Sequence, residues 1–121
     1  MERYTINGVE VEHDTFDLDQ MERLEEAVRR VKEDMSALRD RTDGEGSAIE
    51  LLREQAEVFL DFFDDVLGEG SARKIFGGRM NIRDISNGYT GFINDVAAQQ
   101  AKLAGTMGQP ELDRAQRRAR R

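Results

Sequence analysis

The 121-residue chain predicts a mainly α protein: three long helices plus a short one, a small N-terminal β-hairpin before them, and a disordered basic C-terminal tail after them. Three observations carry this. Apolar residues recur at alternating spacings of three and four along three separate stretches, which is the period of one helical face. Asn7-Gly8 sits between two short alternating runs and supplies the positive φ angles that a two-residue hairpin turn requires. Four of the six phenylalanines fall between Phe59 and Phe76. Aromatic side chains carry the largest apolar payload, so that segment is the expected centre of the core. The length suits one domain, read as residues 1–109 with the hairpin at 3–12, followed by a flexible arginine-rich tail at 110–121.

In the hairpin, Ile6 faces Val9 and Tyr4 faces Val11, so all four lie on one side; Thr5, Glu10 and an Arg3–Glu12 pair fall on the other. A lone hairpin is marginal in water, so its apolar face should rest on a helix or on another subunit. His13 follows as a surface or loop residue. Asp17 or Asp19 caps the first long helix, with Gln20 or Glu22 three positions on. Met21, Leu24, Val28, Val31, Met35 and Leu38 form its narrow seam, of the kind used by an antiparallel helix pair or a coiled coil. An intramolecular contact is the simpler reading at this length. Thr42 to Gly46 is a loop, and Ser47 with Glu50 makes a capping box for the central helix.

The central helix carries Ile49, Leu52, Ala56, Phe59, Phe63 and Val66 on one stripe, with Leu51, Val58, Phe62 and Leu67 beside it. A helix apolar over more than one face should be contacted from several sides. Gly68 is its expected left-handed stop. A short helical piece ends at Gly77-Gly78. Asn81 then caps a last long helix with Ile82, Ile85, Tyr89, Phe92, Val96 and Leu103 on its apolar face. Gly88 and Gly91 each cost about 1 kcal/mol relative to alanine inside a helix; they mark either close approach or a kink.

Composition narrows function. There is no cysteine, hence no disulfide and no thiol chemistry. No apolar run reaches the roughly 18 residues of a membrane span, and Met1-Glu2-Arg3-Tyr4 does not open a signal peptide. The net charge is −7, yet residues 110–121 hold five arginines against Glu111 and Asp113, a local +3 that leaves −10 on the rest. An acidic body disfavours phosphate backbones, so nucleic acid is not the expected partner. Asp61, Asp64 and Asp65 could pair on a helical face to bind a hard cation or serve as acid and base. The simpler reading is a solvated face, because the single histidine is remote in sequence. Neither Gly68-Glu69-Gly70 nor Gly77-Gly78 ends in the Gly-Lys-Ser/Thr of a phosphate loop. No catalytic, cofactor or metal residue is proposed.

The stretch FLDFFDDVLGEGSARKIFGGRMNI, preceded by NGVEVE and followed by RAQRRARR, resembles the small tail assembly chaperones of long-tailed bacteriophages and prophages. The similarity follows most of the chain in the same order, and DFFDDVLGEGSARKIFGG is its most specific part. Gly88 and Gly91 depart from the plainer helix expected there. The IFGG element is a packing or interaction signature, so no active-site residue carries over. The resemblance implies a non-enzymatic chaperone of the host cytoplasm, absent from the mature virion. It would bind the tape-measure protein, keep it soluble and help recruit tail-tube subunits, as a homo-oligomer without cofactor or membrane. Phe62, Ile75 and Phe76 are the candidate contact residues if exposed, with core packing as the alternative for each. Arg114, Arg117 and Arg118, at helical spacings, are candidates for contact with an acidic partner, with nucleic-acid binding through the tail as the weaker functional reading and a solvated tail as the simplest one. A generic helical adaptor or oligomerisation module is the competing reading.

Overall fold

The alternation of the first thirteen residues builds two antiparallel strands, β1 (Glu2–Ile6) and β2 (Val9–His13). Asn7 (φ 52°) and Gly8 (φ 78°) form the turn. Tyr4 pairs with Val11 and Ile6 with Val9, as the sequence predicts, and the ladder extends one pair further to Glu2 and His13. In this computed structural model the described residues are 1–41 and 47–107, with side chains as far as Gly105. The predicted loop at 42–46 and the tail at 110–121 lie outside them.

Four helices follow: α1 (Leu18–Asp40), α2 (Ala48–Leu67), α3 (Ser71–Phe76) and α4 (Ile82–Met107). Each long helix begins where a short polar side chain can take a free backbone N–H. Asp17 accepts from the Gln20 N–H at 3.0 Å, Ser47 from Glu50 at 3.1 Å and Asn81 from Asp84 at 3.1 Å. Half of the α1 seam, Leu24, Val31 and Leu38, is buried within the molecule with Ala27 beside it, while Met21, Val28 and Met35 are half-buried; α1 lies along α2. Exposed ion pairs from Arg30 to Asp65 (2.9 Å) and from Arg41 to Glu54 (3.1 Å) bridge the two helices; each contributes at most about 1 kcal/mol.

The core is aromatic and centred on α2. The Phe62 ring meets Phe63 at 5.4 Å, Tyr89 at 4.8 Å and Phe92 at 6.2 Å, each edge-on. Phe63 reaches Phe76 of α3 at 5.5 Å, and Tyr4 of β1 closes the cluster against Phe92 at 5.3 Å. α2 thus contacts α1, α3, α4 and β2, as its breadth of apolar surface requires.

Four sequence expectations need correction or a decision. Ile49 and Leu52 open the predicted stripe of α2 but are 70% and 44% exposed. Helical phase puts Leu52 in line with Phe59 and Phe63. Its exposure is an end effect, because the rings that cover α2 all meet its C-terminal half. Gly68 does stop α2 with positive φ, but at φ 109°, ψ 153° it is extended rather than left-handed α. That region is essentially open only to glycine, and Gly70 and Gly77 supply the true left-handed turns on either side of α3. His13 is a buried strand residue, not a surface one. Gly88 is a site of close approach, whereas Gly91 faces open space.

A helix as short as α3 needs help at its start, and Gly70 offers no capping side chain. Asp64 of α2 supplies it: Oδ1 accepts the Ala72 N–H at 2.9 Å, while its backbone carbonyl takes the Gly68 N–H at 3.1 Å. Asp64→Ala should therefore lower stability by about 1–2 kcal/mol, and Asp64→Asn, which keeps an acceptor oxygen, by less. Urea titration of the three proteins checks this; equal midpoints would remove the bond from the account.

Candidate functional site

The candidate contact residues from the sequence divide into two groups. Phe62, Ile75 and Phe76 are 2%, 2% and 6% exposed; all three belong to the core, and in this fold none presents a surface to a partner. Helical position allowed either outcome, and the packing of α3 and α4 onto α2 decided for burial. Arg114, Arg117 and Arg118 lie outside the described residues.

Asp61, Asp64 and Asp65 of α2 border one recess together with Asp34, and two of them have partners of their own. Asp65 is held by Arg30 and Asp64 by the α3 backbone. Asp61 borders this recess of about 240 Å³ between α1 and α2. Its carboxyl is pushed above the ordinary aspartate value, first by partial desolvation and then by the carboxylates of Asp65, Asp64, Glu57 and Asp34. Asp61 is exposed as a residue, so water screens much of this crowding and it carries little weight for stability. Among the described residues, no three His, Asp or Glu side chains are arranged to hold a metal ion.

An open concave surface with a largely apolar lining arises elsewhere. Both α1 and α4 pack on α2, yet they barely touch each other. Between them runs an open groove of about 540 Å³. Met21, Leu24 and Val28 of α1 and Ile93, Val96 and Ala97 of α4 form its apolar lining, while Glu25, Arg29, Lys32 and Gln100 edge it. Met21, Val28 and Ile93 are only half-buried, and Ala97 is exposed. Arg29 is tied along its own helix to Glu26 (3.4 Å) and Glu33 (3.1 Å), which holds that edge polar and solvated. From Met21 to Lys32 the groove spans eleven residue steps, about 16 Å at the helical rise, which is the length of three turns of a helix.

An apolar trough of that length with polar edges can receive the apolar face of an amphipathic helix, meeting side chains spaced i, i+3, i+4 and i+7. The sequence showed most of its apolar lining: Met21, Leu24 and Val28 belong to the α1 seam, Val96 to the α4 face, and Ile93 assists that face. Ala97 and Gln100 carried no signal, because a small or polar residue gains meaning only from the partner helix opposite. Among the described residues no helix is long and apolar enough to cross a membrane.

No curated protein and no solved structure matches the chain. The profile of one protein family does, over residues 7–121, from the hairpin turn to the final arginine. On that match the chain belongs to DUF6673, a family of unknown function.

Proposed function

We propose that this protein is a non-enzymatic assembly chaperone that shields the apolar face of a helical partner in the groove between α1 and α4. The groove itself carries the reading, since it is concave, largely apolar, three helical turns long and edged by polar groups. The resemblance of the Phe59–Ile82 stretch to phage tail assembly chaperones supplies the partner: the tape-measure protein, kept soluble until tail-tube subunits replace the chaperone around it. Long helical proteins with exposed apolar stretches aggregate unless covered. A groove this size gives one modest contact, so affinity would come from several copies along one partner. Modest contacts also let the chaperone leave as the tube grows. The acidic body would keep the complex soluble in the host cytoplasm, and release would leave the protein out of the finished virion.

The test is co-expression with the neighbouring tape-measure protein, comparing wild type with Val28→Glu and Ala97→Glu. Ala97 is exposed, so its variant should change stability by no more than about 1 kcal/mol, whereas Val28 is half-buried against the core and its variant should lose more; retained helicity is checked for each. Wild type should solubilise and retain the long partner, and each variant should weaken retention at least about tenfold, or 1.4 kcal/mol. Undiminished retention by both folded variants would remove the groove from the proposal. If wild type neither solubilises nor retains the tape-measure protein, a generic helical adaptor becomes the better account.

A further inference from the structure

Residues 9, 11 and 13 share the inward face of β2, and the third of them is the only histidine of the chain. His13 is 3% exposed, and its ring stands edge-on to Phe92 of α4 with centroids 5.8 Å apart. Nδ1 lies 2.9 Å from Thr15 Oγ1, which lies 2.6 Å from the Tyr4 hydroxyl. The Thr15 hydroxyl donates to the His13 carbonyl at 3.4 Å, and the Thr15 backbone N–H donates to the Glu2 carboxylate at 3.2 Å.

One arrangement of protons satisfies this set. Tyr4 O–H and His13 Nδ1–H both donate to Thr15 Oγ1, whose own proton goes to the His13 carbonyl. Nε2 is then a bare lone pair, and it is the buried side-chain polar atom left without a hydrogen-bond partner among the described residues. A lone pair without a partner is tolerable in an apolar site; an N–H of a cationic ring without an acceptor is far more costly. The docked hairpin therefore requires neutral imidazole.

The charged groups facing this site are Glu2 on β1, Asp14 just after β2 and Asp95 on α4. The first two act on the ring and Glu2 and Asp95 act on Tyr4; α2 contributes Phe62 and Phe63 behind Phe92. Burial outweighs the carboxylates and holds His13 below the ordinary imidazole value. The hairpin is fixed at its other end by Ile6 against Gly88 and by Asn7 Nδ2, which donates to the Ile75 carbonyl at 3.1 Å.

We propose that His13 makes the hairpin an acid-released latch: protonation of the buried ring detaches β1 and β2 from α4 and uncovers its apolar face around Ile85, Gly88 and Phe92. The contacts between α1 and α2 do not involve the hairpin, so the helices stay paired. The sign follows from linkage. The undocked ring takes up a proton below about pH 6.5 and the docked ring does not. Latch stability is complete above that pH, falls as pH drops toward the docked ring's lower pKa, and is flat below it.

A single histidine means a single imidazole signal, so NMR can follow the ring and the backbone together. Hydrogen exchange of the β1 and β2 amides is measured relative to the α2 amides between about pH 7.5 and about pH 5, which removes the intrinsic pH dependence of exchange. In wild type the ratio of strand to helix protection should fall up to tenfold per pH unit within the window. Asp61, on α2, has a raised pKa and would strengthen the helix reference as pH falls, lowering the ratio in the same direction, so its contribution, which persists in the His13 variants, is read from them and subtracted. In His13→Gln the ratio should show that contribution alone. If that variant does not fold, His13→Phe, which keeps an aromatic ring against Phe92 and cannot titrate, should show it alone instead. A ring that titrates at or above the ordinary value, a flat ratio in wild type, or an unchanged pH dependence in the folded variant would each overturn the latch.

Discussion

Replacing Phe63 by alanine should come close to unfolding the protein at room temperature. The ring is fully buried and lies 5.4 Å from Phe62, 5.5 Å from Phe76 and 6.2 Å from Phe92, centroid to centroid. It therefore joins α2, α3 and α4 at a single point. A Phe→Ala change in a packed core costs about 3–5 kcal/mol, against a total of roughly 5–15 kcal/mol for a domain. The thermal midpoint should fall by roughly 10–20 °C. Leu52→Ala, in the same helix but 44% exposed, should lose less than about 1 kcal/mol. Thermal and urea melts followed by circular dichroism check both, and a loss below about 1 kcal/mol at Phe63 would mean that the aromatic cluster is not the core. Phe62→Asp and Phe76→Asp should unfold the chain for the same reason, by burying an unpaired charge. They are therefore unsuited to testing partner contact, and the groove positions take their place.

Gly88→Val should destabilise by about 1–3 kcal/mol, the usual cost of overpacking, whereas Gly91→Ala three residues on should stabilise by up to about 1 kcal/mol. Helix propensity alone predicts a gain at both. A Cβ at Gly88 would lie 3.0 Å from Ile6 Cγ2 and 3.0 Å from Phe76 Cζ. Both neighbours are buried, so neither has room to give. A Cβ at Gly91 meets nothing within 4 Å. Chemical denaturation of the two variants separates the effects, and a stabilised Gly88→Val would show that hairpin and α3 do not close on α4 as described. The hairpin should also lose protection selectively in Gly88→Val, since Ile6 is the residue displaced.

The phase of apolar residues was enough to place the three long helices, the flanking glycines marked the short one, and Asn7-Gly8 was enough to set the hairpin register down to the Arg3–Glu12 pair. The caps at Ser47 and Asn81 were equally legible, and that of α1 was narrowed to Asp17 or Asp19, because a cap is a contact across three residues. The burial of His13 was available too: it has the same parity as Val9 and Val11, and only its residue type argued for the surface. The exposure of Ile49 and Leu52 was not available, since their helical phase is right and only the position of the covering rings along α2 excludes them.

The sequence by itself determined the local structure of this protein, since turns, caps and helical faces depend on residues within about one or two turns of each other. Only the tertiary structure decided which apolar residues face a neighbour and which face a gap. Phe62, Ile75 and Phe76 became core because α3 and α4 fold back onto α2. Met21, Val28 and Ile93 became the lining of a groove because α1 and α4 both pack on α2 and stay apart. The difference lies in where the neighbouring helices stop, a property of long-range packing that no single helix carries in its own sequence.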